Sequence, residues 1–438
     1  MKKLPHILTS CALALCTSAA ARAQATEAAT SASATPVVPS LNRAPAPDEL
    51  RFSVGASESL LWGYNGYSGT SSSTNVNGSA AYVSGSQSHP TSFLYSGGYL
   101  WGNNNSQPNG SYQNFGISQQ FLTKHFGLVV GDTVSYLPNA PVFGMSGIAG
   151  VGDVGTQPIS TGGLPVDSIL TYYGRRVTNT ASGSVTTKLT EKTNLNAFAA
   201  YTIQRFIDQT GIDNNELDAG ANVGHRIDAK NSLGVGYVYS RFTYLRNPGL
   251  FFNLDNLRID THEGNVQYEH IFTRRLTFNA SAGPQWVESS YPAIIPNRLD
   301  AAANVSLTLL AERTQYMLSY SRGASAGGGV LIGTVSDNVN FTVDHDFTRQ
   351  WRGAFSADYG RANSLAVSTL GHTDAKSFYT GVQLNRQLGR FFNAYASYNL
   401  EYQSISGTSA LYNAFSGTAN VVGFGINYSP RPLHLRHH

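Results

Sequence analysis

From Leu50 onward, apolar and polar residues alternate along the chain with a period of two. In 334–347, Val335, Val339, Phe341, Val343 and Phe347 share one face, and Thr334, Ser336, Asn338, Asn340, Thr342, Asp344 and Asp346 share the other. In 351–359, Trp351, Gly353, Phe355, Ala357 and Tyr359 oppose Arg352, Ala354, Ser356 and Asp358. In 390–403, Ala394, Ala396, Tyr398, Leu400 and Tyr402 oppose Asn393, Ser397, Asn399, Glu401 and Gln403. Successive side chains of a strand point to opposite faces, so each segment reads as a strand with one wet face.

Two architectures accommodate such strands. A soluble sheet buries its apolar face under a second layer. A membrane barrel turns that face to lipid and lines its lumen with the polar one. Length decides between them. The segments run about 12 to 17 residues, where ordinary strands run about 5 or 6 and a membrane strand needs about 9–11. Tyr, Trp and Phe gather near segment ends, as interfacial girdles require. No amphipathic helix is available to cover a soluble sheet of this size.

The punctuation agrees. Short charged stretches recur: LTKHFGL (122–128), LTEKTNL (189–195), IDAKNSL (227–233), FTRRLTF (272–278), LAERTQY (310–316), FTRQWRG (347–353) and LGRFFNA (388–394). They read as tight turns on one side of the membrane. Longer connections alternate with them, among them 138–167, 246–258, 326–333 and 405–417. Short turns on one side and long loops on the other mark outer-membrane barrels. The expected fold is all-β: a transmembrane antiparallel up-and-down β-barrel of eighteen strands, from 50–65 to 418–429. If 73–84 and 91–102, joined at GSQSHP, form a folded loop instead, the count is sixteen.

Composition narrows the picture. Only 13% of the 438 residues are charged, and there are 44 Gly and 24 Tyr. No run of 18 apolar residues offers a membrane helix. The first residues form an export signal (1–23): Lys2 and Lys3 precede an apolar stretch, Ile7 to Ala21, and Ala21-Arg22-Ala23 is a cleavage site. A lipoprotein signal ending at Cys11 is the competing reading of LTSC. Cys11 and Cys16 both fall in the removed segment, which leaves no thiol for a disulfide, catalysis or metal. Removing Lys2, Lys3 and Arg22 leaves 26 basic against 26 acidic residues, so the formal +3 becomes 0 and implies no nucleic-acid partner. Residues 24–49 are Ala-, Ser- and Pro-rich and read as a disordered periplasmic linker. The barrel is expected over 50–430, and 431–438 is a short tail.

By these features the chain resembles a Gram-negative outer-membrane β-barrel of porin-like type. The final strand, NVVGFGINY (420–428), is similar to the insertion signal read by the barrel assembly machinery, with Gly423, Ile426 and Tyr428 in its characteristic places. Such chains commonly end at that aromatic, whereas SPRPLHLRHH follows here. The resemblance implies the outer membrane as location and its lipid as solvent, with a homotrimer as the common assembly. It also implies an inward-folding third external loop. Loop 138–167 has that position but carries only Asp153 and Asp167 as acids, so a neutral constriction and an external flap both stay open.

A channel's chemistry lies in its lumen. Alternation points Asp218, Arg226, Glu263, Glu269, Asp344, Asp346, Arg352, Asp358 and Glu401 inward. The excess of acids there would mildly favour cations. Glu58 and Asp132 fall on lipid faces, which calls for either a β-bulge that swaps faces locally or a pairing site between subunits. His434, His437 and His438 form a tail cluster read as a solvated end rather than a metal site. Serines are abundant, and none is set in a nucleophile elbow of the G-x-S-x-G kind. GASAGGG (323–329) is a glycine-rich external loop with no helix to receive a phosphate. No enzyme activity, cofactor or metal is expected. The expected function is passive diffusion of small hydrophilic solutes through a polar lumen. A surface adhesion barrel acting through its loops and a transporter of apolar substrates are the alternatives.

Overall fold

A computed structural model of the chain describes residues 48–63, 69–84, 86, 88–103, 109–137, 175–208, 211–245, 256–327, 331–366, 374–406 and 416–434. Eighteen long strands follow one another: β1 (Glu49–Trp62), β2 (Thr70–Val83), β3 (Thr91–Gly102), β4 (Gly110–Leu122), β5 (Phe126–Leu137), β6 (Arg176–Lys188), β7 (Thr193–Phe206), β8 (Asn214–Arg226), β9 (Asn231–Tyr244), β10 (Arg258–Thr273), β11 (Leu276–Ser289), β12 (Arg298–Leu310), β13 (Thr314–Ser325), β14 (Thr334–Asp346), β15 (Trp351–Ser364), β16 (Asp374–Leu388), β17 (Phe392–Ser406) and β18 (Gly417–Tyr428). Each pairs antiparallel with its neighbours in sequence, and β18 returns to β1 from Val54↔Tyr428 to Trp62↔Asn420. Closure gives every long strand a paired neighbour on both sides, as lipid requires. The pair β2 and β3 belongs to the wall, so the count is eighteen and not sixteen.

Five of the short turns are each braced by one side chain. Thr123, Thr190, Asp228, Thr273 and Thr348 each accept the backbone N–H that opens the following strand, at 2.9–3.1 Å. A short polar side chain near the start of a turn bonds the backbone a few residues on, in the manner of Asx- and ST-turns. The recurring charges beside these residues are tolerated because this end of the barrel meets water.

Outward positions are apolar and exposed: Val235 is 58% exposed, Val266 55%, Leu299 63% and Phe424 53%. Trp62, Trp101, Trp286 and Tyr359 mark the external boundary of this belt, and Phe126, Phe272, Phe392 and Tyr428 mark the periplasmic one. The outward ion pairs Arg241–Asp260, Arg322–Asp337 and Arg361–Asp374 lie just beyond the external aromatics. The chain is therefore a transmembrane β-barrel of the outer-membrane type.

Glu58 and Asp132 do face outward, and no bulge turns them. Register runs unbroken through Glu58↔Thr74 and Asp132↔Ala181. Each carboxylate is instead bonded to a neighbouring strand or loop: Glu58 accepts from Thr74 at 2.7 Å and Asn103 at 2.9 Å, and Asp132 accepts from Asn179. After Tyr428, Pro430 and Pro432 interrupt the ladder, and a short β19 (Leu433–His434) then pairs with Glu49 and Leu50. The segment past the terminal aromatic thus extends the β1 seam at its periplasmic end.

Candidate functional site: the external mouth and the lumen wall

One hairpin leaves the wall. Pairing of β12 with β13 stops at Ala303↔Arg322, while β13 and β14 stay paired to Ser325↔Thr334. Freed from β12, the top of this hairpin tilts into the barrel. Its former outer face now meets the inner wall. Ala324, Ala326, Ile332 and Val335 join Phe242 and Tyr244 of β9, Ile259 of β10 and Val287 of β11 in one buried apolar cluster, closed by Ile295 and Leu365. Two hydrogen bonds fix the seat. The Ala324 N–H donates to Gln285 Oε1 at 2.8 Å, and the Tyr244 hydroxyl donates to the Ala326 carbonyl at 2.9 Å. Leu331 packs on the far wall, against Ala362, Ala375 and Ile405 of β15, β16 and β17.

Glycine permits the fold-in. Gly327 and Gly333 bracket the tip with φ of +84° and +65°, a region that other residues avoid. A Cβ on Gly333 would stand 2.6 Å from Ile259 Cδ1 and 2.8 Å from Leu365 Cδ1. The hairpin therefore spans the external mouth from the β9–β11 wall to the β15–β17 wall. GASAGGG also spells G-x-S-x-G over Gly323–Gly327, contrary to the reading that no serine lies in that pattern. It makes no nucleophile elbow, because Ser325 ends a strand and the next element among the described residues is another strand, β14. The Ser325 hydroxyl bonds Thr334 at 2.6 Å and Ser336 at 3.3 Å.

The nine lumen candidates all sit at positions that alternate with lipid-facing ones, but they stand in different settings. Asp218 is fully buried on β8, opposite Ser240 of β9. Glu263 accepts from Asn265 Nδ2 at 2.8 Å, and Glu269 is partly buried lower on β10. Arg352 lies 3.4 Å from Asp344 and 3.8 Å from Asp346 near the periplasmic rim. Arg226 is exposed at the same rim and donates to the Glu191 carbonyl at 3.3 Å. Asp358 is bonded to Asn340, and Glu401 is 2% exposed. Asp153 and Asp167 lie outside the described residues, as do His437 and His438. Among the described residues no three His, Cys, Asp or Glu group as a metal site would require.

Other inward charges escape the sequence reading. Arg51–Glu49 (2.8 Å) lies at the periplasmic end of β1, and Arg298–Asp300 (2.5 Å) lies at the external end of β12. Glu216 is another. The same alternation that placed Asp218 would have found all of them.

No family model matches the chain, and no curated protein matches it. Solved structures share its general architecture. The outer membrane protein opdK of Pseudomonas aeruginosa is 12% identical, with 88% of this chain and 99% of that one covered and a TM-score of 0.42. OccK2 (OpdF) of the same organism, solved with glucuronate, is 11% identical over 88% and 100%, with a TM-score of 0.45. The siderophore receptor PirA of that organism is 9% identical over 89% and 81%, with a TM-score of 0.43. A siderophore receptor and a protein solved with glucuronate score alike, so the likeness adds nothing to what the closed barrel itself establishes.

Proposed function

We propose that the chain is an outer-membrane channel that passes small hydrophilic solutes by diffusion, with its external mouth narrowed by the β13–β14 hairpin. The supporting observation is a closed eighteen-stranded wall whose inward positions carry Ser, Thr, Asn, Gln and charged residues. Barrels of about this size enclose an aqueous route, whereas those of about eight strands fill with side chains. The apolar cluster at the mouth is spent on holding the hairpin: its side chains are buried against one another and offer no surface to a passing apolar solute. Export by residues 1–23 and insertion through 420–428 complete this reading, with Ile426 and Tyr428 facing lipid and Gly423 facing the lumen. The test is planar-bilayer recording of the purified protein. Discrete conductance steps are expected, and silence at every voltage overturns the proposal.

A further inference from the structure

On the lipid-facing side of β13 to β17, two rows of side chains lie in register at the external boundary. The lower row is Tyr320, Val339, Tyr359, Phe378 and Tyr402. Two residues further out, Arg322, Asp337, Arg361 and Lys376 stand side by side on four successive strands. Asp374 follows two residues beyond Lys376 on β16. The aromatic row marks where hydrocarbon ends, so the charged row stands at the level of the outer-leaflet headgroups.

The three bases of this band outnumber its two acids and are the more exposed. The Arg361 and Lys376 side chains are 46% and 51% exposed, against 22% for Asp337 and 18% for Asp374. Asp337 accepts from Arg322 Nη1 and from the Tyr320 hydroxyl, each at 2.8 Å. Asp374 accepts from Arg361 Nε at 3.1 Å, and Lys376 Nζ stands 3.8 Å from it, too far for a hydrogen bond. A guanidinium has five donors and an ammonium three, so both bases can donate beyond Asp374. The same band on β9 to β11 is balanced, with Arg241 and Arg258 against Asp260 and Glu288.

We propose that Arg361 and Lys376, with Arg322 beside them, bind the phosphate of an anionic lipid in the outer leaflet. Arg361 and Lys376 are directly opposite across β15 and β16. Side chains so placed start about 5 Å apart, close enough for one phosphate to accept from both. The arginine fork matches phosphate oxygens, and the lysine adds a point charge. A lipid suits this place better than a free ion. With its phosphate on the charged row, its chains lie along the exposed apolar face below, past Phe378 and Val382. The inference rests on the barrel's place in the outer membrane and not on conduction.

The test is native mass spectrometry of the purified protein with dioleoyl phosphatidic acid, with dioleoyl phosphatidylcholine for comparison and inorganic phosphate as competitor. Wild type should retain phosphatidic acid in preference to phosphatidylcholine. Lys376→Gln should weaken that retention by about fivefold, and Lys376→Gln with Arg361→Gln by about twenty-fivefold, in line with the usual contribution of a base near an anionic membrane surface. The single variant leaves the Arg361–Asp374 bond in place, so it decides the matter should the double variant lose the β-sheet circular dichroism of the folded barrel. Arg275→Gln with Arg313→Gln removes the same charge at the periplasmic turns and should leave retention unchanged. Equal retention by wild type and Lys376→Gln, equal loss in the periplasmic control, or equal retention of phosphatidylcholine would overturn the inference. So would displacement by inorganic phosphate at the lipid's own concentration, or loss of the lipid on chelation of divalent cations.

Discussion

The Tyr244 hydroxyl reaches 82 positions along the chain to the Ala326 carbonyl, 2.9 Å away and buried. That bond ties β9 to the tip of the β13–β14 hairpin. A neutral buried bond is worth about 0.5–1.5 kcal/mol, so Tyr244→Phe should raise the population of the lifted hairpin by roughly two- to tenfold. Single-channel traces should show more frequent excursions to a larger conductance. Unaltered gating would mean the hairpin is held elsewhere.

Gly333 offers a steric test of the same seat. With φ at +65° and Ile259 2.6 Å from the missing Cβ, Gly333→Val combines backbone strain with overpacking. The seat should weaken by about 1–3 kcal/mol. The expected readout is a channel mostly in its larger conductance state, with the β-sheet circular dichroism of the folded barrel unchanged.

Asp132 and Asn179 place a hydrogen-bonded polar pair on the lipid face. Replacing both by Val should stabilise the barrel against urea in vesicles by about 1 kcal/mol, because polar groups facing lipid near mid-membrane are costly. Asp132→Val alone should gain less, since it strands the Asn179 amide. If this pair served a subunit contact, the double variant would instead lose crosslinked oligomer.

At the external rim, Arg175 holds the Asp208 carboxyl below the ordinary carboxylate range through their direct hydrogen bonds. A depressed value in the fold means the contribution is present above the unfolded value, about 3.9, and is lost as pH falls through the folded one. Both groups are partly exposed, so the contribution is at most about 0.5–1 kcal/mol. Asp208→Asn should flatten stability below about pH 4 and leave neutral behaviour almost unchanged, as equilibrium unfolding across pH would show.

Strand positions and facing were legible because lipid imposes the period-two pattern directly. The nine charged wall positions follow from that parity, which no bulge breaks at Glu58 or Asp132. The inward hairpin was hidden. Leu331-Ile332 sits in a glycine-rich stretch that reads as an external loop, and Ile332 is buried against residues as distant in sequence as Phe242 and Tyr244. A signal was present nonetheless: Phe242, Tyr244, Ile259 and Val287 put bulky apolar groups on lumen parity at the external ends of β9, β10 and β11. Apolar residues facing a wet lumen need something to cover them.

Single-channel conductance of the wild-type protein beside a variant lacking residues 327–332 is the most direct measurement. A channel narrowed by its β13–β14 hairpin gives discrete steps in both proteins and larger ones in the shortened form. Silence from the wild type, or identical steps from the two, contradicts it.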